Sequence, residues 1–263
     1  MLLAHVNGAP ATAEQLAVPA VVNYGHFTSL QVRDGHTRGL ELHLRRLSEG
    51  TRVLFGSELD IALVREYLRR AVDGAGAVTA RVTLFSLAAP GGRVEPVDPD
   101  VLVTLRAPSV ASTAPVRLRS VRYQRPLPEV KHVGTFGLLH HTREARLAGY
   151  DDALFVDAGG NVSEASIWNA GFFDGDTVVW PQARQLSGTM RLLLERGLAA
   201  LGVASVTRPL PLERARAQRS AFLCNSGNPG LPVSAIDDAE LSVDPELTAL
   251  LRRAYEGNPL ERI

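Results

Sequence analysis

The chain has 263 residues, of which 45% are hydrophobic, and its 28 lysine and arginine residues balance 28 aspartate and glutamate residues. This length and hydrophobic content suit one large domain, or two smaller domains with real cores. A neutral protein has no broad electrostatic attraction for nucleic acid or for anionic membranes, so we expect neither as a partner.

The cysteine content and the N-terminus bear on the compartment. Cys224 is the one cysteine, so no disulfide forms within the chain, which is compatible with a reducing cytoplasm. The first ten residues lack the basic segment and the long apolar core of a signal peptide. No apolar run approaches the ~20 residues that a membrane helix needs. We expect a soluble, cytoplasmic globular protein.

The first part of the chain is predicted to mix strands and helices. Strand patterns cover residues 2–6, 26–33, 78–87 and 101–105. Asn7-Gly8 ends the first of these strands, and Asp34-Gly35 is a strong hairpin signal after the second. Helical spacing covers residues 40–56. Ser57 is the predicted N-cap of a further helix that ends near Gly74.

A change in composition predicts where the second part begins. Ala, Pro, Ser and Thr dominate residues 107–115, which predicts a linker at 108–115 between domains at 1–107 and 116–263. Predicted strands follow at 116–123, 153–156, 166–173, 177–180, 205–208, 221–224 and 233–236, with helices at 135–147, 187–201 and 245–255. The expected fold is α/β (α+β) with two domains.

Lys131 lies in Pro128-Glu129-Val130-Lys131-His132, at the end of a predicted strand and before a predicted helix. Lysines are very few in this chain, where arginine dominates the basic residues. A lysine amine can lose its proton and form a Schiff base, whereas a guanidinium cannot. Lys131 is therefore a candidate catalytic residue, with an ordinary solvated lysine as the alternative.

Two further segments carry weaker signals. Residues 186–191 are predicted to form a loop that enters a helix, and free N–H groups at a helix start suit a phosphate. The alternative is a simple N-cap by Ser187. Glu164 follows a turn and precedes a strand, and by itself it is an ordinary exposed carboxylate.

The sequence carries none of the common metal or nucleophile motifs. His140 and His141 are adjacent on a predicted helix, so their side chains point about 100° apart and cannot share one metal ion. We expect no metal site.

Five stretches of the sequence together resemble the class IV aminotransferase family. They are Val6-Asn7-Gly8; residues 27–35 with 43–47; Val130-Lys131-His132 with 152–157; residues 160–164 with Asn169, Phe172 and Asp174-Gly175; and residues 186–191 with 222–226 and Pro232-Val233. This family is also called pyridoxal-phosphate (PLP) fold type IV. It includes branched-chain and D-amino-acid aminotransferases, (R)-amine transaminases and aminodeoxychorismate lyases. The resemblance spans most of the chain.

The resemblance implies a fold and roles for named residues. The implied fold has a small N-terminal α/β domain and a larger C-terminal domain with PLP between them. The implied assembly is a homodimer, because the family builds its active site at the dimer interface. Lys131 resembles the Schiff-base lysine and proton carrier, and Glu164 the acid that pairs with the pyridine nitrogen. The implied phosphate-binding residues are Arg46, Gly188, Thr189, Met190 and Ser226, with Gly227 following at the substrate side. The implied substrate-binding residues are Phe27, Thr28, Ser29, Arg93 and Asn225.

Two regions depart from the family pattern. Residues 22–27 stand where the family usually has Asp-Arg-Gly and Gly-Asp-Gly, and this region shapes the substrate side. D-amino-acid aminotransferases bind the substrate carboxylate with an arginine and a histidine in the loop that matches residues 88–93. Arg93 falls near that histidine, and a mobile surface arginine is the alternative.

The activity that the resemblance implies is transfer of an amino group between an amino acid or amine and a keto acid. The first alternative is an aminodeoxychorismate lyase that releases pyruvate. Three segments favour this alternative: Phe27-Thr28-Ser29, Lys131-His132 and Cys224-Asn225-Ser226. A second alternative is a family member that binds PLP with weak catalysis. A third is a binding or scaffold protein that has no enzymatic activity.

Overall fold

The structure is a computed structural model that describes residues 3–89, 91 and 94–263. The chain divides into two compact units. The first unit contains the described part of Met1–Ser109 together with Val130–Gly134 and Pro259–Ile263, and the second contains Val110–Glu129 and Thr135–Asn258. The sequence-based domain boundaries, with a linker at 108–115, stay a prediction.

Helices and strands are mixed along the described chain. The helices are α1 (Ala13–Val21), α2 (Leu40–Phe55), α3 (Ile61–Val72), α4 (Phe136–Leu147), α5 (Thr189–Ala200), α6 (Leu212–Arg216) and α7 (Pro245–Glu256). The strands are β1 (Leu3–Val6), β2 (Ala9–Pro10), β3 (His26–Arg33), β4 (His36–Arg38), β5 (Ala77–Phe85), β6 (Asp100–Arg106), β7 (Val116–Arg122), β8 (Asp152–Val156), β9 (Val162–Ala165), β10 (Asn169–Phe173), β11 (Val178–Pro181), β12 (Ser205–Arg208), β13 (Ser220–Asn225), β14 (Asn228–Ile236), β15 (Ala239–Glu240) and β16 (Leu260–Arg262). This mixture confirms the predicted α/β class.

The first unit is an antiparallel sheet with helices packed on it. Its described strands follow the order β16-β4-β3-β5-β6-β1-β2. Asn7-Gly8 and Asp34-Gly35 form the tight turns after β1 and β3, and all four residues have positive φ, between 49° and 81°. Positive φ at both turn residues gives the backbone twist that a hairpin needs. The predictions of turns from these Asn-Gly and Asp-Gly dipeptides are confirmed. Apolar residues of β3, β5 and β6 form one core with α2 and α3.

The second unit contains a closed ring of strands. Its sheet follows the order β12-β11-β10-β13-β14-β7-β8-β9, and β9 also pairs with β10. The strands β10, β13, β14, β7, β8 and β9 therefore close on themselves as a small barrel. A second apolar cluster packs α5 and α7 against β11 and β13, with Trp180 and Phe222 edge to face at 5.4 Å.

Most predicted elements are present within a few residues, and two predicted helix starts are wrong. Asp60, not Ser57, caps α3, because its carboxylate accepts from the N–H of Leu63 at 2.9 Å while the Ser57 hydroxyl donates to a loop carbonyl. Gly188, not Ser187, is the N-cap of α5. Within the described residues, no helix is both long and apolar enough to cross a membrane.

Candidate active site

Lys131 is the only lysine in the sequence, and it lies in the connection between β7 and α4. The prediction that it ends a strand is wrong, because β7 ends at Arg122. Pro126 and Pro128 stand in this connection, and proline has no N–H to donate to a strand ladder. The backbone is held by the start of β3 instead, where the N–H of Phe27 donates to the carbonyl of Lys131 at 2.9 Å.

The Phe27 ring lies against two cations of the first unit. Lys131 Nζ is 4.9 Å from the ring centroid, and the Arg81 guanidinium carbon is 3.5 Å from it. Arg81 pairs in register with Ser29, so the alternation along β3 and β5 places it on the face of Phe27. Burial, and then the charge of Arg106, lower the pKa of Arg81 to about 10. Sequence reasoning missed Arg81, because its place beside Phe27 depends on the register of β3 and β5.

Thr28 lies on the opposite face of β3, because alternate strand residues point to opposite sides. Its side chain is 1% exposed, and its hydroxyl is hydrogen-bonded to Nδ1 of His43 at 2.7 Å. Burial lowers the pKa of His43 to about 3, and the charges of Arg46 and Lys131 act in the same direction. His43 and Arg46 are three residues apart on α2 and share one helix face. Thr28 therefore contacts the helix that carries Arg46.

Glu164 is a buried carboxylate of the second unit, with 7% of its surface exposed. Its Oε1 lies 3.4 Å from Nη2 of Arg125, which is itself 4% exposed, and its Oε2 accepts from the N–H of Leu186 at 3.3 Å. An opposite charge and a hydrogen bond both favour the ionised form of a carboxylate. The expectation of an ordinary exposed carboxylate at Glu164, taken by itself, is thus replaced by a buried ion pair.

The start of α5 offers backbone rather than side-chain groups. Gly188 is its N-cap, and glycine has no side chain with which to cap the helix. The residues at its first two positions, Thr189 and Met190, are 2% and 3% exposed. The N–H groups of a first helical turn lack partners inside the helix, so they are available to an anion.

A tight turn joins β13 to β14 in the same unit. Ser226 and Gly227 form the turn, and Asn225 pairs in register with Asn228. The Asn225 side chain accepts from the N–H of Gly227 at 2.9 Å. The turn is therefore fixed by its own asparagine.

The predicted site residues that the structure describes fall into two sets, one in each unit. The group in the first unit consists of Phe27, Thr28, Ser29, Arg46 and Lys131; the group in the second unit consists of Glu164, Gly188, Thr189, Met190, Asn225, Ser226 and Gly227. Arg93, the predicted carboxylate ligand, lies outside the described residues. Among the residues that the structure describes, no cluster of three or more His, Cys, Asp or Glu side chains could hold a metal ion.

A family model described as amino-transferase class IV matches residues 25–236. The chain belongs to the class IV aminotransferase family. The members of this family are PLP-dependent enzymes, so the protein is an enzyme of this type. No curated protein sequence matches the chain.

Three solved structures have folds similar to that of this chain. A fold IV transaminase from Curtobacterium pusillum is 25% identical, with 88% of this chain and 87% of that chain covered and a TM-score of 0.76. The 4-amino-4-deoxychorismate lyase from Pseudomonas aeruginosa is 26% identical, with 97% and 99% covered and a TM-score of 0.77. The branched-chain amino acid aminotransferase from Escherichia coli is 18% identical, with 97% and 92% covered and a TM-score of 0.83. The expected type IV fold is confirmed.

Proposed function

We propose that the protein binds PLP through a Schiff base on Lys131 and transfers an amino group between an amino acid or amine and a keto acid. The observation that carries the proposal is the buried Glu164 carboxylate, held by Arg125 and by the N–H of Leu186. These two contacts favour the ionised carboxylate, and an ionised carboxylate is the group that would pair with a protonated pyridine nitrogen.

The chain also carries donors suited to the remaining parts of PLP. The start of α5 at Gly188, Thr189 and Met190 offers N–H groups to a phosphate, and Ser226 in the turn before Gly227 offers a hydroxyl. Arg46 adds a planar guanidinium, which can bind two phosphate oxygens at once. An amine, an anion for the ring nitrogen and a phosphate cradle are thus all present in the chain.

Lys131 Nζ is the group that we expect to move the proton. When PLP is bound, its ring withdraws electrons from the carbon that carries the substrate amine. Nζ takes the proton from this carbon and delivers it to the cofactor carbon that is bonded to the substrate nitrogen. The Phe27 ring, 4.9 Å from Nζ, restricts the directions in which the amine can point.

Arg81 and Ser29 are the residues of the first unit that we assign to the substrate side. Arg81 is half-buried, and both burial and Arg106 disfavour its charge. A substrate carboxylate would relieve that cost, so we expect the substrates to carry one. Phe27, Thr28 and Asn225 remain proposed substrate-side residues, with Thr28 acting through its contact with His43.

An aminodeoxychorismate lyase is the second candidate. The observation that favours it is the 26% identity to a lyase over nearly the whole of both chains. In this reading the hydroxyl of Ser29, which shares the strand face of Phe27, donates a proton to the departing pyruvate carbon. A catalytically weak PLP-binding protein is the third candidate, and the fact that both Lys131 and Glu164 are present speaks against it.

One experiment separates these candidates. The purified protein with PLP is given D- and L-amino acids and (R)-amines, each with and without a keto acid, and then aminodeoxychorismate alone. A transaminase forms product only when donor and acceptor are both present. Release of pyruvate from aminodeoxychorismate without any keto acid would reject transamination in favour of the lyase.

We also propose a homodimer in the cytoplasm, with the domain limits and linker predicted above. Family membership supports the homodimer, and the single cysteine is compatible with the cytoplasm. A monomer in light scattering at micromolar concentration would reject the dimer.

A further inference from the structure

A buried amide network connects Glu164 to the start of α5. Asn169 begins β10 and pairs in register with Glu164. Its Nδ2 donates to the carbonyl of Leu186 at 2.8 Å and to Oε1 of Gln185 at 3.0 Å. Gln185 in turn donates from Nε2 to the carbonyl of Pro181 at 2.7 Å. Asn169 and Gln185 are 5% and 8% exposed, so these bonds form away from water.

Both backbone polar groups of Leu186 are hydrogen-bonded in this network. Its N–H donates to Glu164, and its carbonyl accepts from Asn169. The segment that enters α5 is therefore fixed relative to the carboxylate by two bonds that act on one residue. Buried hydrogen bonds are costly to leave unmade, so the segment has little freedom to shift.

Gly188 contacts the same amide from the other side. A Cβ added at Gly188 would overlap Oδ1 of Asn169 and would lie 3.0 Å from the Cγ of Asn169. The backbone of Gly188 has φ −67° and ψ 133°, which any L-residue adopts without strain. Glycine is thus required here by the neighbouring asparagine and not by the backbone conformation.

We propose that Asn169 is a positioning residue that sets the spacing between the Glu164 carboxylate and the first turn of α5, with Gly188 as its packing partner. The inference rests on the proposed function, in which these two places receive the ring nitrogen and the phosphate of one cofactor. The network acts through Glu164 and the helix start, so Asn169 itself has no contact with the reacting atoms.

Two probes that differ by the phosphate test this spacing. PLP reaches both places, whereas pyridoxal lacks the phosphate and does not use the start of α5. The binding of each probe to the apoprotein is measured by absorbance titration for the wild type, Asn169→Asp and Asn169→Ser. Asp places a carboxylate against the Leu186 carbonyl oxygen and Oε1 of Gln185. Ser removes the amide without adding charge.

We expect both Asn169 variants to bind PLP about tenfold to a hundredfold more weakly, the size of one or two lost buried hydrogen bonds near a charge. Their affinity for pyridoxal stays close to that of the wild type, so the PLP-to-pyridoxal ratio falls. Gly188→Ala lowers the same ratio. Its added cost is smaller in the Asn169→Ser background, because the side chain that the new Cβ would overlap is gone.

Asn258→Asp is the matched control for loss of stability. Asn258 is also buried, and its Nδ2 donates to the carbonyls of Leu193 and Ala254 at 3.0 and 2.9 Å. This variant is expected to lower the unfolding midpoint in urea while it leaves the PLP-to-pyridoxal ratio unchanged.

The possible outcomes distinguish the inference from the proposed function. If the Asn169 variants lose affinity for both probes equally, or for neither, the spacing role is overturned while wild-type binding of PLP still supports the proposed function. If the wild type binds no PLP, both are overturned.

Discussion

The two buried histidines of the first unit make its stability depend on pH in a calculable way. His43 and His26 have their pKa values lowered from 6.5 to about 3 and about 4, mainly by burial. His26 is also hydrogen-bonded to Thr51 at 3.1 Å, and the backbone of Gly50 lies beneath its ring. Both side chains are therefore neutral in the folded protein above pH 5.

A lowered pKa in the folded state means that acid favours the unfolded state. The stability due to each neutral histidine is fully present above the unfolded pKa of 6.5, and it is lost as the pH falls towards the folded value. With 1.36 kcal/mol per pH unit, each histidine removes about 2 kcal/mol between pH 7 and pH 5, or about 4 kcal/mol for both.

Urea unfolding of the wild type, His43→Gln and His26→Gln at pH 7 and pH 5 measures this linkage. Glutamine does not titrate, so each variant should lose about 2 kcal/mol less than the wild type between the two pH values. Far-UV circular dichroism is the suitable signal, because Trp168 and Trp180 both lie in the second unit.

Val32→Ala is the control, because Val32 is fully buried in the core of the same unit and does not titrate. It should lower the free energy of unfolding equally at both pH values. If His43→Gln and the wild type lose the same free energy between pH 7 and pH 5, the burial argument is refuted.

Three further substitutions test single residues. Arg125→Met leaves Glu164 without its buried cation and should lower the free energy of unfolding by about 3–5 kcal/mol. Adding Glu164→Leu to this variant should restore most of that loss. An Arg125→Met protein as stable as the wild type would contradict this expectation. Arg46→Lys loses the two-donor guanidinium, so the dissociation constant of PLP should rise about tenfold with pyridoxal binding unchanged. An equal loss for both would show that Arg46 does not bind the phosphate. Arg81→Gln should raise KM about tenfold or more for donors with a carboxylate and leave KM for simple amines unchanged; equal changes would remove Arg81 from the substrate side.

Local sequence signals predicted the turns and many of the elements. Asn7-Gly8 and Asp34-Gly35 form hairpin turns because Asn, Asp and Gly readily adopt the positive φ that these turns need. The start of α1 was missed although its signal is local: Thr12 and Gln15 form a capping box. Pro19 inside that helix conceals the pattern.

The contacts of the candidate site could not be read from spacing. Arg125 pairs with Glu164, and Asn169 with Leu186, only because the barrel brings distant strands and loops together. The contact of Arg81 with Phe27 likewise depends on the register of two strands. Sequence reasoning identified residues by their chemistry, and the partners that tune them follow from the fold.

The most direct test of the central claim uses the fact that Lys131 is the only lysine. The absorbance of the wild type and of Lys131→Ala is recorded with PLP, and each sample is then reduced with borohydride and digested for mass spectrometry. The account predicts a band near the visible edge in the wild type alone, an amine donor that shifts it, and cofactor mass on the peptide containing Lys131. A wild-type protein without this band, or a Lys131→Ala protein that keeps it, would contradict the account.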